Sequence, residues 1–91
     1  MFSLDGQKAL IVGIANEHSI AWGCARALRA QGAEIAVTYL NDKAERFVRP
    51  LAEELGAEII LPLNVSEPGQ LEAVFAEIES RWGRLDTLLH S

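Results

Sequence analysis

The segment Gly13-Ile14-Ala15-Asn16-Glu17-His18-Ser19-Ile20-Ala21-Trp22-Gly23 holds the residue types best placed to do chemistry on an anion. It follows an apolar run, Ala9-Leu10-Ile11-Val12, and leads into an amphipathic run with helical spacing. A strand that stops at a glycine and turns into a helix makes a cradle for phosphate. The first N–H groups of the helix have no partner within it, and the helix dipole is positive there. Ser19 suits an N-cap, and its hydroxyl can serve the same anion. The G-x-G-x-x-G form of the dinucleotide loop is absent, because no two of the seven glycines are separated by a single residue.

The remaining reactive side chains read as ordinary structure. Cys24 lies on the apolar side of the expected first helix and behaves as a small hydrophobe rather than a nucleophile. A single cysteine excludes an internal disulfide and fits a reducing, cytoplasmic setting. His18 reads as a solvated loop residue. His90 ends the last strand and reads as a wall of a binding site, not as a catalytic group. Trp22 and Trp82 read as packing residues, and Glu53-Glu54 as a solvated helix face. No ligand spacing points to a metal.

Strand and helix signals alternate along the whole chain. Lys8 to Gly13 reads as a buried strand and Ser19 to Gln31 as a helix, with Ile20, Cys24 and Leu28 on its apolar face. Glu34 to Tyr39 is the second strand. Asn41 or Asp42 caps a helix over roughly Lys43 to Leu55, closed by Gly56, in which Pro50 should produce a kink or a break. Glu58 to Leu63 is the third strand, and Pro62 assigns it to a sheet edge. Ser66 is expected to cap a third helix with Pro68 in its first turn. Leu71, Val74, Phe75, Ile78 and Trp82 then follow the i, i+3, i+4, i+7 rule up to Gly83. Leu85 to His90 is the fourth strand. The order βαβαβαβ implies an α/β doubly wound fold, a parallel sheet in strand order 3-2-1-4 with right-handed crossovers. Two helices cover one face and one the other. The switch point lies outside the C-terminal ends of strands 1 and 4, where a dinucleotide would bind.

Composition narrows the function classes. Ninety-one residues make one small domain, and 49% hydrophobic content is too high for a disordered chain. No apolar run is long enough to span a membrane, and the N-terminal residues do not form a signal peptide. The net charge of −5 argues against a nucleic-acid partner.

The loop pattern G-x5-S-I-A-x-G resembles the cofactor loop of bacterial enoyl-[acyl-carrier-protein] reductases, divergent short-chain dehydrogenase/reductases. The likeness extends to Leu4-Asp5-Gly6, Gly32-Ala33-Glu34, Thr38-Tyr39, Asn64-Val65 and His90-Ser91. It implies NADH-dependent reduction of the carbon–carbon double bond of enoyl-acyl carrier protein in fatty acid biosynthesis, by a cytoplasmic homotetramer. It further implies that Gly13 lies under the cofactor, that Ser19 and Ile20 face the pyrophosphate, that Leu40 sits beside the adenosine ribose, and that Asn64 and Val65 contact adenine. Two positions depart from the family pattern. Leu40 stands where a polar residue, often glutamine, is common, and Asn64 where aspartate is usual. The nearest carboxylate to the end of the second strand is Asp42, beside Lys43, so the reading favours NADH and leaves NADPH open. The family's catalytic tyrosine and lysine, six residues apart, have no match. Tyr39 is the chain's one tyrosine, and the residue at that spacing is Arg46. The chain is therefore expected to be the N-terminal part of a Rossmann domain, inactive by itself and marginally folded in isolation.

Two competing readings belong to other classes. A flavodoxin-like receiver would need acidic residues after the first strand and an aspartate after the third, where Gly13-Ile14-Ala15 and Asn64 stand. A non-catalytic assembly module could use the fourth strand, with Leu85, Leu88 and Leu89, as a docking edge.

Overall fold

A computed structural model describes residues 5–14, 20–64 and 66–90. The elements run β1 (Lys8–Val12), α1 (Ile20–Ala30), β2 (Glu34–Tyr39), α2 (Asp42–Leu55), β3 (Ile59–Pro62), α3 (Gln70–Trp82) and β4 (Thr87–His90). All strand pairs are parallel and the sheet order is β3-β2-β1-β4, as the alternation implies. The start of the first helix at Ser19 lies outside the described residues.

Each face of the sheet buries its own apolar layer. Ala9, Ile11, Ile35 and Val37 meet α1 and α2 through Ala21, Ala25, Val48 and Ala52. Leu10, Ala36, Ile59 and Leu63 meet α3 through Val74 and Ile78. β1 and β2 are covered on both sides, which is why they read as continuous apolar runs rather than alternating ones.

Four local expectations are corrected. The buried side of α1 is Ala21, Trp22 and Ala25, whereas Ile20 is 77% exposed and Cys24 half-buried. Small alanines let the helix backbone approach the sheet closely, and this rotates the face away from Ile20. α2 runs through Pro50 as one helix, which overturns the break but not the kink. Pro50 and Arg46, whose carbonyl would have taken the missing N–H, are both exposed, so water can serve that oxygen. Ser66 does not cap α3, and Pro68 precedes the helix. The N-cap is Gly69, with φ 85° and no side-chain cap bond. The Ser66 N–H is instead taken by Asn64 Oδ1 at 3.0 Å, and a turn closed by Glu67 N–H to the Asn64 carbonyl delays the helix. On α3, Val74 and Ile78 are buried but Leu71 and Phe75 are 41% and 39% exposed, because a single helix covers this face.

Other signals were realised where expected. Asn41 caps α2, accepting from the Ala44 N–H at 2.9 Å, and Gly56 and Gly83 close α2 and α3. Pro62 pairs with Tyr39 as the last residue of the edge strand β3, so its missing donor costs no ladder bond. β3 and β4 are each shorter than the sequence suggests, Glu58, Leu63, Leu85 and Asp86 lying outside them.

The charged groups gather at the N-terminal end of the sheet. Lys8 Nζ pairs with Glu34 and lies 5.5 Å from the centroid of the Trp82 ring. Trp82 Nε1 donates to Glu58 Oε2 at 2.9 Å, tying the end of α3 to the segment that enters β3.

Candidate functional site

In a parallel sheet every strand ends on the same edge, so the loops that follow β1, β2, β3 and β4 converge there. They enclose a cleft of ≈ 300 Å³, at the lower end of the range for small-molecule sites. Val12, Gly13 and Ile14 form its wall on the β1 side, and Thr38, Tyr39 and Leu40 on the β2 side. Ala44 contributes from the first turn of α2, and Leu63 and His90 come from the ends of β3 and β4.

Gly13 carries a φ of 109°, in the region that residues with a side chain rarely adopt. The chain can therefore leave β1 sharply without placing a side chain in the mouth of the cleft. Leu40 is 56% exposed and lines the cleft together with buried Leu63. Asn64 follows Leu63 directly and is held on three sides. Its N–H donates to Gln70 Oε1 at 2.7 Å, its Oδ1 accepts from Ser66 N–H at 3.0 Å, and its carbonyl accepts from Glu67 N–H at 2.9 Å. The side chain is thus an organiser of the loop after β3, and its amide N–H₂ donates to no other described residue.

Of the residues singled out by sequence, the structure brings Gly13 and Leu40 around one cleft, while Asn64 follows its lining residue Leu63 without lining it. Ile20 opens α1 and does not line this cleft. Ser19 and Val65 lie outside the described residues. His90 takes the wall position expected of it: it is the register partner of Val12 and lines the same cleft. Thr38 was missed as a site residue. Its signal was present, as a hydroxyl inside the otherwise apolar run Ile35-Ala36-Val37 of a strand buried on both faces.

The arrangement fits the adenosine half of a dinucleotide. Apolar walls at Val12, Leu40 and Leu63 suit a flat base, and Gly13 puts no side chain in the path of a phosphate. Asp42 and Glu45 make the first turn of α2 acidic, and Glu45 is paired with Arg49. Among the described residues there is no group of three or more His, Cys, Asp or Glu placed to hold a metal ion. No helix of the described residues is long and apolar enough to cross a membrane.

Comparison with known proteins gives a consistent picture. Residues 13–91 match the family described as enoyl-(acyl carrier protein) reductase. The chain is 46% identical over 88 residues to enoyl-[acyl-carrier-protein] reductase [NADH] 2 of Rhizobium meliloti, covering 97% of this chain and 33% of that protein. It is 46% identical over 93 residues to the NADH enoyl reductase of Nostoc, covering 99% of this chain and 36% of the relative. The fold superposes on the crystal structure of the Anaplasma phagocytophilum enoyl reductase in complex with NAD at a TM-score of 0.89 and 41% identity, over 99% of this chain and 35% of that one. A Bacillus cereus enoyl-acyl carrier protein reductase with NADP+ and an indole naphthyridinone gives a TM-score of 0.88 at 37% identity, over 97% and 35% of the two chains. The chain spans about a third of the length of the curated relatives it matches.

Proposed function

The chain belongs to the enoyl-[acyl-carrier-protein] reductase family, and from that premise we propose that it is the N-terminal, nucleotide-binding part of an NADH-dependent enoyl reductase. The observation that carries this reading is the cleft where the chain leaves β1 at Gly13 and β2 at Leu40, lined also by Leu63 and His90. NADH, when bound, supplies the hydride that reduces an enoyl thioester. The residues of this chain bind and orient the adenosine diphosphate half.

In this reading Gly13 lets the diphosphate approach the backbone, and Ser19 and Ile20 meet it at the start of the first helix. Leu40 packs beside the ribose, and Asn64 with Val65 borders adenine. The Asn64 Oδ1 already holds the Ser66 N–H, so it shares that oxygen with the adenine amino group through a second lone pair. Leu40 offers no hydrogen bond to a ribose hydroxyl, and the acidic first turn of α2 repels a 2′-phosphate. Both features favour NADH over NADPH.

The whole protein would act on enoyl-acyl carrier protein, as a homotetramer in the cytoplasm. The tyrosine and lysine that complete family chemistry have no counterpart in these residues, so the 91-residue chain binds nucleotide and does not turn over. The test is a titration with NADH and NADPH followed by amide NMR signals of residues 13–23, together with an enoyl-thioester assay read by NADH absorbance. Shifts confined to the cleft without turnover support the proposal. A folded chain whose signals do not move overturns it, and turnover overturns the division of labour.

A further inference from the structure

We propose that Thr38 is a further binding contact of the nucleotide site, its hydroxyl hydrogen-bonding the adenosine half of the cofactor. The inference rests on the nucleotide-binding reading and adds a residue to it. Three observations meet at this position. Thr38 is the only buried polar residue among the described residues, 2% exposed. It lines the cleft. Its hydroxyl takes no hydrogen bond from or to any described residue, although no fully enclosed side-chain N or O atom lacks a partner. The hydroxyl therefore has its opening toward the cleft itself.

Register explains why it points there. Thr38 pairs with Leu61 on one side, and one step beyond the Ile11–Val37 pair it neighbours Val12, which in turn pairs with His90. Along this row at the C-terminal edge, Thr38 and His90 are the two polar side chains, and Val12 separates them. The α3 cluster on the same face takes in Leu10 and Ala36, with Val12 and Leu61 of this row packed against it, so the side left open to Thr38 is the cleft at the strand ends. A strand interior buried on both faces is served as well by valine as by threonine, because both are β-branched and of similar shape. Valine would also avoid burying a hydroxyl, which carries a penalty unless it finds a partner. The hydroxyl is explained when something polar enters the cleft. The purine edge and ribose of adenosine carry the acceptors that a threonine O–H can meet from the floor.

The test uses the 91-residue chain with ADP and NADH as probes, in three forms: unchanged, Thr38→Val and Thr38→Ser. Affinities are read by calorimetry, and the ligand-free melting temperature of each form is read by circular dichroism. Thr38→Val is expected to weaken ADP and NADH equally, by about three- to tenfold, without lowering the ligand-free melting temperature. Thr38→Ser retains the hydroxyl and is expected to bind ADP within about twofold of the unchanged chain. Equal ADP affinity in the unchanged and Thr38→Val forms overturns the contact and leaves the nucleotide site standing. A loss for NADH but not for ADP overturns it too, because the contact would then lie outside the shared half. If the unchanged, folded chain binds neither probe, the nucleotide-binding reading itself falls and takes this contact with it.

Discussion

Asp86 takes up both hydrogen-bonding groups of the Lys8 backbone: its Oδ2 accepts from the Lys8 N–H at 2.8 Å, and its own N–H donates to the Lys8 carbonyl at 2.9 Å. Arg84 reinforces the contact, its Nε 3.2 Å from the same Oδ2 and a terminal nitrogen 2.6 Å from the Gly6 carbonyl. The fourth strand is thereby registered on the first before its own ladder begins at Ala9 and Thr87. Asp86→Ala is expected to lower stability by about 1 kcal/mol, the value of one exposed charge-assisted bond after solvent screening. Asp86→Asn keeps an acceptor and should cost about half of that. Urea denaturation measures both, and equal losses for the two variants would contradict the proposed role of the backbone bond.

The α3 face makes a sharper prediction, because one helix carries it. Ile78 and Val74 are each 2% exposed, whereas Phe75, one position along, is 39% exposed. Ile78→Ala should cost about 2–4 kcal/mol, enough to threaten folding of so small a domain. Phe75→Ala, although it removes a larger side chain, should cost about 1 kcal/mol or less, since much of the ring is already in water. Thermal unfolding of the two variants checks the order, and the reverse order would mean that the helix is rotated on the sheet.

Pro50 is carried within α2 at a cost. The ring removes one i→i−4 bond and crowds the Arg46 carbonyl. Its neighbourhood compensates in part: Glu45 and Arg49 pair across one turn at 2.7 Å, and the Arg49 guanidinium is held toward its charged form first by that hydrogen bond. Pro50→Ala is expected to stabilise the chain by about 1–2 kcal/mol, less than the full helix penalty because proline also restricts the unfolded chain. An unchanged or lower denaturation midpoint would show that the proline is needed for a bend in the helix.

Most of the architecture was legible because its signals are local and redundant. Pro62 pointed to an edge, Asn41 and Gly56 bracketed a helix, and apolar runs identified strands covered on both faces. The errors share one cause, competition between local preferences that only the tertiary arrangement decides. Ser66 has the chemistry of a cap, but the turn closed from Glu67 back to Asn64 occupies its place in the chain and the helix starts only after Gly69. Ile20, Cys24 and Leu28 form a credible apolar stripe, of which Leu28 does pack on the core, but the sheet selects the smaller Ala21 and Ala25, which let the backbones come close and turn Ile20 out. The cleft was only half legible for the same reason. Gly13 and Leu40 mark themselves by motif and position, whereas Thr38 acquires its meaning only when register places it in a row with Val12 and His90.

Gly13 links backbone strain to binding. At φ 109° an alanine would have to leave this conformation or pay about 1–2 kcal/mol. Gly13→Ala should therefore lose both stability and NADH affinity. The affinity loss should persist when measured on the folded fraction alone, because a relaxed turn no longer opens the cleft mouth. Calorimetry below the unfolding range separates the two effects, and retention of affinity would remove Gly13 from the binding site.

Cofactor choice should depend on the end of β2. Leu40 is 56% exposed at the cleft and contributes no polar group, while Asp42 and Glu45 stand in the first turn of the helix that follows. A 2′-phosphate entering here would find no cation on the strand end itself, where Leu40 stands, and would meet Asp42 with Lys43 beside it in the following turn, Glu45 being paired with Arg49. The unchanged chain is expected to bind NADH at least about tenfold more tightly than NADPH, a difference of about 1.4 kcal/mol. Leu40→Arg places a guanidinium at the strand end, where such a group accommodates the additional phosphate. It should raise NADPH affinity about tenfold while changing NADH affinity little, and the gain should shrink as salt is added because the new attraction is between exposed charges. Parallel titrations with the two cofactors at low and high ionic strength decide the matter: a preference unmoved by the arginine would mean that the ribose lies elsewhere than beside Leu40.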